Sequence, residues 1–285
     1  MTSTWIVGAD GSANARHAAE WAVDQAVGRD VRIIVLATWT VPLVSTGMVA
    51  STIVFPDWSA LESELQHTTQ ALAAELTRDG VEVEARIAQG SPAHALIEAS
   101  READLLVVGA RGLGRVKGLM LGSVSQRCVS HSAVPTAVIS MEAPLGPARH
   151  IVVGYDASPN AQTAARWALE FAEPDAAVTI LDALALASWL APDVVRERFP
   201  VEVTAAESEF HAHMADLDPQ HRATHSFVIA DERLALLRAS QSADLVVLGA
   251  RGRGKLGAML VGSTSAWMLH GATRATIVVP PHHRT

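Results

Sequence analysis

The stretch ADLLVVGARGLGRVKGLMLGSVSQ at residues 103–126 returns at residues 243–266 as ADLVVLGARGRGKLGAMLVGSTSA, with 12 of the 24 positions identical. A second pair lies upstream of it. WIVGADGSANARHAAEWAV at residues 5–23 matches IVVGYDASPNAQTAARWAL at residues 151–169. Self-similarity over a period of this size indicates a duplicated structural unit. The sequence therefore predicts two copies of one domain within a single chain.

Chain length supports this division, because 285 residues exceed the usual size of one domain. We predict a first domain at residues 1–142 and a second at residues 149–285. The segment MEAPLGPA at residues 141–148 holds two prolines and a glycine and reads as the linker. These two domains are called the first half and the second half below.

Within each half, short β-branched runs alternate with amphipathic helical stretches, a pattern typical of βαβ units around a parallel sheet. The runs LLVVG and LVVLG are apolar at every position, as strands buried on both faces should be. We predict an α/β fold with two tandem, doubly wound, parallel five-stranded sheets. Predicted strands are 4–9, 31–38, 81–87, 104–109 and 135–140, then 149–155, 176–183, 223–229, 244–249 and 275–280. Predicted helices of the first half are 13–28, 58–79, 92–102 and 122–131.

Composition limits the classes of partner. The formal net charge of −8 argues against a nucleic-acid backbone or an anionic membrane, which both attract a basic surface. Cys128 is the only cysteine, which excludes an intramolecular disulfide and fits a reducing compartment; we predict that it is a small buried hydrophobe. The beginning of the sequence lacks the pattern of a signal peptide, so we expect a cytoplasmic protein.

The candidate site follows from a rule of open α/β sheets: ligands bind beyond the carboxyl ends of the strands, where the winding direction reverses. Strand one of each half is followed by GADGS or GYDAS, which contain Asp10 and Asp156. Strand four is followed by a glycine-rich loop that ends in Gly122-Ser123 or Gly262-Ser263, at the predicted start of a helix. Glycines let backbone amides approach a phosphate, and a helix N-terminus attracts an anion.

The same loops are basic in an otherwise acidic chain. Arg111, Arg115 and Lys117 lie in the first loop, and Arg251, Arg253 and Lys255 lie in the second. A local excess of positive charge is what a phosphate site requires. Each neighbouring aspartate could accept from a ribose hydroxyl or a base amine, or face a magnesium ion.

The spacing Gly-x2-Gly-x9-Gly-Ser after a strand, together with the VG-x-D-x-S start, resembles the ATP-binding branch of the universal stress protein family, in a tandem form. The resemblance covers nearly the whole chain. It implies an adenine-nucleotide α-hydrolase-like fold with strand order 3-2-1-4-5 and pairing of the domains through their final strands. It also implies bound ATP, a homodimer, nucleotide contact by Asp10 and Asp156, and backbone contact to adenine at Thr38 and Ala183.

Motif and resemblance together assign nucleotide binding to one set of residues in each half, with no catalytic residue and no protein metal site. The set is Gly8, Asp10, Thr38, Gly109, Arg111, Gly112, Gly114, Arg115, Gly122, Ser123 and Val124, then Gly154, Asp156, Ala183, Gly249, Arg251, Gly252, Gly254, Lys255, Gly262, Ser263 and Thr264.

Structural readings stand beside these assignments. Ser12 and Ser158 are good helix N-caps, the two aspartates could be turn residues, and Ser123 and Ser263 could cap their own helices. The second half also departs from the first. It has Ala230-Asp231-Glu232 in place of Gly90-Ser91-Pro92, and Asp182 in place of Ala37.

Three functions are compatible with these residues. The first is an ATP-binding stress or regulatory protein with little turnover, since the sequence has no GK[ST] phosphate loop. The second is a slow magnesium-dependent ATPase that uses Asp10. The third is an interaction module that binds another adenine compound, such as cyclic AMP. Residues 42–58 and 184–200 follow strand two of each half and are expected to form lids or a surface for an unidentified protein partner.

Overall fold

A computed structural model describes residues 2–40, 58–78, 80–112, 121–253, 261–271 and 273–281. All ten predicted strands form within one to two residues of the expected limits. They are β1 (Ser3–Ala9), β2 (Val31–Trp39), β3 (Glu82–Gln89), β4 (Leu105–Gly109), β5 (Thr136–Ile139), β6 (His150–Tyr155), β7 (Ala177–Leu184), β8 (Ala223–Ile229), β9 (Leu245–Gly249) and β10 (Ala275–Val279).

The helices alternate with these strands. They are α1 (Ala13–Ala26), α2 (Trp58–Leu76), α3 (Pro92–Ser100), α4 (Ser123–His131), α5 (Pro159–Phe171), α6 (Pro192–Arg198), α7 (Pro200–Leu217), α8 (Glu232–Ser240) and α9 (Ser263–Gly271). The prediction extended α1 to residue 28. That end is wrong because Gly28 adopts a φ of +82°, a left-handed conformation that ends a helix.

The strand order is confirmed in both halves. The full sheet runs β3-β2-β1-β4-β5-β10-β9-β6-β7-β8, which reads 3-2-1-4-5 from each outer edge inward. The two predicted sheets meet at their final strands, where β10 pairs antiparallel with β5 and Ile277 lies opposite Ala137. The other pairings among these ten strands are parallel. One ten-stranded sheet therefore joins the halves, as the resemblance implies.

A shared apolar core spans this junction. The Phe171 ring stacks on Trp5 of the first half at 6.1 Å between centroids and on Trp167 of the second half at 4.7 Å. The guanidinium of Arg29 lies 4.4 Å from the centre of the same ring. Trp21 is fully buried, and Cys128 is a buried hydrophobe as predicted. Burial raises the pKa of the Cys128 thiol to about 12, so it is neutral at physiological pH.

The segment 141–148 contains no helix or strand, as predicted, and it packs against α1. The buried Gln25 side chain donates to the Gly146 carbonyl at 2.7 Å and accepts from the Ala148 N–H at 3.0 Å. The Asp24 carboxylate accepts from the Gly146 N–H at 2.7 Å. These bonds fix the path of the chain between the halves.

The segments that follow strand two of each half are the predicted lids. Residues 41–57, which hold most of the predicted lid of the first half, lie outside the described residues. In the second half the corresponding segment contains α6 and packs Ala187 and Val195 against Val203 and Ile229. Among the described helices, none is both long and apolar enough to cross a membrane.

Candidate functional site

The loops that carry the predicted site meet at the sheet's carboxyl edge. β1 lies between β2 and β4, and β6 lies between β7 and β9, so strands one and four of each half are direct neighbours. The aspartate loop and the glycine-rich loop therefore leave the sheet side by side. This is the point where the winding direction reverses, the place at which open α/β sheets bind ligands.

Each aspartate contacts the glycine-rich loop directly. A Cβ atom built on Gly112 would collide with Oδ2 of Asp10, and one on Gly252 would collide with Oδ2 of Asp156. In the second half the Arg253 N–H also donates to that Asp156 oxygen at 3.0 Å. A side chain at residue 112 or 252 would therefore displace the carboxylate from its present position, a constraint that the sequence motif did not reveal.

The same aspartates are also turn residues. Oδ1 of Asp10 accepts from the Ser12 N–H at 3.0 Å, and Oδ1 of Asp156 accepts from the Ser158 N–H at 3.1 Å. Both serines are N-caps: Ser12 accepts from the Ala15 N–H at 3.1 Å and Ser158 from the Ala161 N–H at 3.2 Å. At the N-termini of α1 and α5, a backbone amide is therefore already bonded to the capping serine.

The N-termini of α4 and α9 are built differently. The N-cap of α4 is Gly122, which adopts an ordinary extended conformation with a φ of −75° and makes no side-chain capping bond. A Cβ atom there would lie in ordinary contact, 3.4 Å from the Ala110 carbonyl oxygen, and Gly262 has the same freedom. Neither backbone conformation nor packing against described residues demands glycine here. A glycine cap leaves the first amides of each helix open to a ligand.

Three structural residues hold this edge in place, and the sequence assignment omitted them. The Asn14 side chain accepts from the Arg111 N–H at 2.6 Å and donates to the Ile139 carbonyl at 3.0 Å. Ser125 donates to the Gly109 carbonyl at 2.6 Å, and Ser265 repeats this with Gly249 at 2.8 Å. Their signal was available, because Asn14 and both serines recur at the matching positions of the duplicated stretches.

Other assigned glycines have a packing role. A Cβ atom on Gly109 would lie 3.0 Å from the Asn14 carbonyl oxygen, and one on Gly249 would lie 2.8 Å from the Asn160 carbonyl oxygen. A Cβ atom on Gly8 would lie 3.0 Å from Leu96, and one on Gly154 would lie 2.5 Å from Leu248. Gly109 and Gly249 pack against the backbone of a helix, and Gly8 and Gly154 pack against a leucine side chain. Close packing therefore accounts for these four glycines.

The remaining assigned residues fall into three groups. Arg111 and Arg251 are exposed at the start of the loops, Ser123 and Ser263 open their helices, and Val124 and Thr264 follow. Thr38 and Ala183 are half-buried near the ends of β2 and β7. Gly114, Arg115, Gly254 and Lys255 lie outside the described residues.

A cavity of about 290 Å³ opens at this edge of the second half. It is lined at one end by Arg251, Gly252 and the start of α9, and it also reaches Ala183 at the end of β7. Glu232, from the segment in which the two halves differ, lines it as well. In the described part of the chain, no group of three His, Cys, Asp or Glu side chains could hold a metal ion.

Two ionisable groups in this cavity have shifted pKa values. Burial raises the pKa of Asp182 to about 6, an effect that Arg253 opposes and that Asp156 and Glu232 reinforce. Burial, together with the charges of Asp182 and Asp156, raises the pKa of Tyr155 to about 12. At neutral pH the carboxyl is therefore mostly ionised, while the phenol is neutral.

Comparison with known proteins places this geometry among relatives. A model of the Universal stress protein family matches residues 1–140 and again residues 147–280. The chain is 29% identical over 297 residues to Universal stress protein Rv2005c of Mycobacterium tuberculosis, covering 96% of this chain and 95% of the relative. It is 30% identical over 303 residues to Universal stress protein Rv1996 of the same species, covering 96% and 93%.

A solved structure extends the similarity to the fold. The crystal structure of a universal stress protein from Archaeoglobus fulgidus superposes with a TM-score of 0.67 at 21% identity. The superposition covers 98% of this chain and 97% of that one, so both halves are included.

Proposed function

Because the chain belongs to the universal stress protein family, we propose that it is an ATP-binding stress-response or regulatory protein with a nucleotide pocket in each half. The observation that carries this proposal is the pair of helices, α4 and α9, that begin at a glycine cap beside a fixed aspartate. We expect cytoplasmic location and cellular partners other than nucleic acid and membrane, in line with the acidic composition.

The backbone amides at the start of α4 and α9 are the groups proposed to bind the phosphates. Gly122 and Gly262 each donate their own N–H to the preceding loop at 2.7 Å, which holds the helix start against the strand. The next amide, at Ser123, begins α4 without a side-chain capping bond, and Ser263 begins α9 after a glycine in the same way. Hydrogen bonds from such amides to a phosphate are charge-assisted and contribute about 1.5–3 kcal/mol each. Arg111 and Arg251 add positive charge at the same edge.

The fit to a nucleotide also rests on space. The described surroundings accommodate a Cβ atom at Gly122 and Gly262, yet both positions hold glycine. A ligand packed against the bare backbone explains this choice, since a side chain would occupy the place of the phosphate. When ATP is bound, it would supply the triphosphate charge that these amides neutralise, with Asp10 or Asp156 beside it. A magnesium ion would then be held by the phosphates.

The decisive experiment fills the glycine caps. Aspartate is among the best N-cap residues, so Gly122→Asp and Gly262→Asp should keep or slightly raise helix stability while the new carboxylate occupies the amides. We expect each variant to lose one nucleotide per chain when purified protein is denatured and the released nucleotide is quantified. Ala191→Asp, which also places an aspartate at an uncapped helix start, is the matched control and should leave the amount of released nucleotide unchanged.

Other outcomes separate the alternatives. ATP at a hundred times its Kd should add about 2.7 kcal/mol of stability. Absence of both released nucleotide and thermal stabilisation by ATP would contradict the proposal and favour an interaction module, for which cyclic AMP is the next ligand to titrate. Turnover well above about one per minute that Asp10→Ala abolishes, with binding retained, would instead favour the slow magnesium-dependent ATPase.

We also propose a homodimer, with a mass from light scattering as its test. The final strands β5 and β10 already pair with each other, so a second copy would use a different surface. The segment between β7 and α7 is a candidate surface for a protein partner, because Trp189 is 83% exposed there. A monomeric mass at micromolar concentration would overturn the dimer.

A further inference from the structure

The two halves differ at the end of the candidate site away from the glycine caps. Strand register pairs Ala9 with Ala37 in the first half, and the matching pair in the second half is Tyr155 and Asp182. The helices that follow strand two, α2 and α7, both end six residues before the next strand. By this count Leu72 of α2 corresponds to His213 of α7. At these three positions the first half has two alanines and a leucine, whereas the second half has a tyrosine, an aspartate and a histidine.

The replacements line one cavity. Tyr155, Asp182 and His213 all face it, and Glu209 of α7 joins them. Phe210 packs against Tyr155 with ring centroids 6.0 Å apart, and the His213 ring lies 6.3 Å from the Tyr155 ring. Two carboxyl groups, a phenol and an imidazole thus share the far end of the pocket.

Two of these groups have no hydrogen-bond partner among the residues that the structure describes. The Tyr155 side chain is buried, at 4% exposure, and its hydroxyl has no hydrogen-bond partner among the described residues. Nδ1 of His213 is buried and equally unpaired in that part of the chain. Buried polar atoms are nearly always paired, so these two atoms are satisfied by what enters the cavity, which is water in the empty pocket and polar atoms of a ligand in the filled one.

The charge at this end specifies the ligand further. Asp182 is mostly ionised at neutral pH and therefore only accepts hydrogen bonds. One of its interactions is with the Ala183 N–H, and a carboxylate has room for about three more. A complementary ligand presents N–H donors to the carboxylate and carries phosphate at its other end, where α9 begins.

Among nucleotides, the bases differ in this respect. The Watson–Crick edge of guanine carries two adjacent donors, the ring N1–H and the 2-amino group, whereas that of adenine alternates an acceptor with a donor. A carboxylate accepts from both guanine donors, and a tyrosine hydroxyl can donate to the guanine carbonyl. The first half has alanine at both matching positions and lacks these contacts to guanine.

We propose that the second-half pocket binds a guanine nucleotide, with Asp182 as the residue that selects guanine over adenine. This rests on the proposed function, because the α9 N-terminus must hold the phosphates. It changes the expectation for one pocket only: the first half keeps ATP. The chain then binds two kinds of nucleotide, one in each half of a single sheet.

The test isolates the pockets in the full-length chain. Gly122→Asp leaves the second pocket, Gly262→Asp leaves the first, and each is titrated with GTP and ATP in the presence of magnesium by calorimetry. We expect the chain with only the second pocket to bind GTP at least about ten-fold tighter than ATP, the discrimination of one bidentate base contact. The chain with only the first pocket should prefer ATP.

A specificity exchange makes the assignment sharper. Asp182→Asn replaces one acceptor by a donor, so GTP affinity should fall by at least about ten-fold. Xanthosine triphosphate should bind in its place, because xanthine has a carbonyl group where guanine has the 2-amino group. Asp193→Asn on α6, an exposed position in the same half, is the control and should leave every affinity unchanged.

Each result has one reading. Equal binding of ATP and GTP to the second pocket, or an unaffected Asp182→Asn variant, would overturn this inference alone. A second pocket that binds nothing while the first binds ATP would overturn both this inference and the proposed nucleotide site of the second half. Failure of both pockets to bind any nucleotide would overturn the proposed function with it. Native mass spectrometry of the unmutated chain, with ATP and GTP supplied together, checks the same point independently: one of each should be bound.

Discussion

The two halves agree where a phosphate would lie and differ where a base would lie. At the phosphate end, the contact between aspartate and glycine, the serine that donates to the strand-four carbonyl and the glycine helix cap all occur twice with nearly equal distances. At the far end, the small apolar Ala9 and Ala37 contrast with Tyr155 and Asp182. The halves are therefore alike at the end proposed to bind phosphate, a group common to all nucleotides, and unlike at the end proposed to bind the base.

The halves also differ in backbone strain at the aspartate loop. Gly11 adopts a φ of +80° without cost, whereas Ala157 holds a φ of +61° at the matching position. A non-glycine residue in this region costs about 1–2 kcal/mol. The second half therefore carries both strain and a buried acidic group in its pocket, and the first half carries neither of these at the matching positions. Features that lower stability at a pocket are common where binding demands them.

The largest stability effect should come from the strand-four glycines, which the halves share. Gly249→Ala places a Cβ atom 2.8 Å from backbone atoms of Asn160, so α5 must move away from the sheet. We expect a loss of about 3 kcal/mol, and about 2 kcal/mol for Gly109→Ala, where the nearest backbone atom is 3.0 Å away. Urea denaturation of the full chain measures both. Equal losses below about 0.5 kcal/mol would show that the helices yield easily.

Removal of the second-half acid should come next. Burial raises the pKa of Asp182 from its ordinary 3.8 to about 6 in the folded chain, so the stability falls as the pH rises through this interval and the carboxyl ionises. We expect Asp182→Asn to raise the free energy of unfolding by about 1–2 kcal/mol at pH 7, after allowance for solvent screening. The gain should shrink as pH falls toward 4.

Thermal unfolding of Asp182→Asn and unmutated protein across this pH range, without nucleotide, provides the measurement. Arg253, Asp156 and Glu232 surround the carboxyl and remain in both proteins, so their titration cancels to first order. A gain that stays constant from pH 4 to pH 7 would contradict the shifted pKa.

Exchange of the loop residues should have a smaller effect of opposite sign in the two halves. Ala157→Gly relieves a positive φ and should stabilise the chain by about 0.5–1 kcal/mol. Gly11→Ala introduces the same strain and should destabilise it by about 1 kcal/mol, because a Cβ atom at Gly11 meets no atom within 4 Å and the effect is purely conformational. Calorimetric melting of both variants would refute the comparison if the two shifts had the same sign.

The smallest effect concerns the residue after the helix start. Thr264 donates to the Glu232 carboxylate at 3.3 Å on the exposed rim, and the first half has Val124 at this position. Thr264→Val should cost only about 0.3 kcal/mol, as exposed polar pairs contribute little. Chemical denaturation beside unmutated protein tests this, and a loss above about 1 kcal/mol would mean that the rim of the second pocket depends on this bond.

Most of the fold could be predicted from the sequence, because its signals are local. Apolar runs such as LLVVG, the helical periodicity between them and the internal repeat are all visible along the chain, and every predicted strand formed. The phosphate end of the candidate site could also be located, because the glycine and serine spacing sits at fixed positions after strands one and four. The end of α1 was missed, since propensity alone did not place the turn at Gly28.

Tertiary structure decided what each site residue touches. Gly112 is glycine because of the Asp10 carboxylate, Gly249 because of the α5 backbone, and Gly122 for neither kind of reason, although all three look alike in the sequence. The grouping of Tyr155, Asp182 and His213 was equally invisible, since strand pairing and helix docking bring together residues far apart in the chain. Periodicity and spacing are properties of neighbours along the backbone, so they determined the scaffold. Contacts across the sheet depend on how the elements pack, so only the folded chain determined the chemistry of the two pockets.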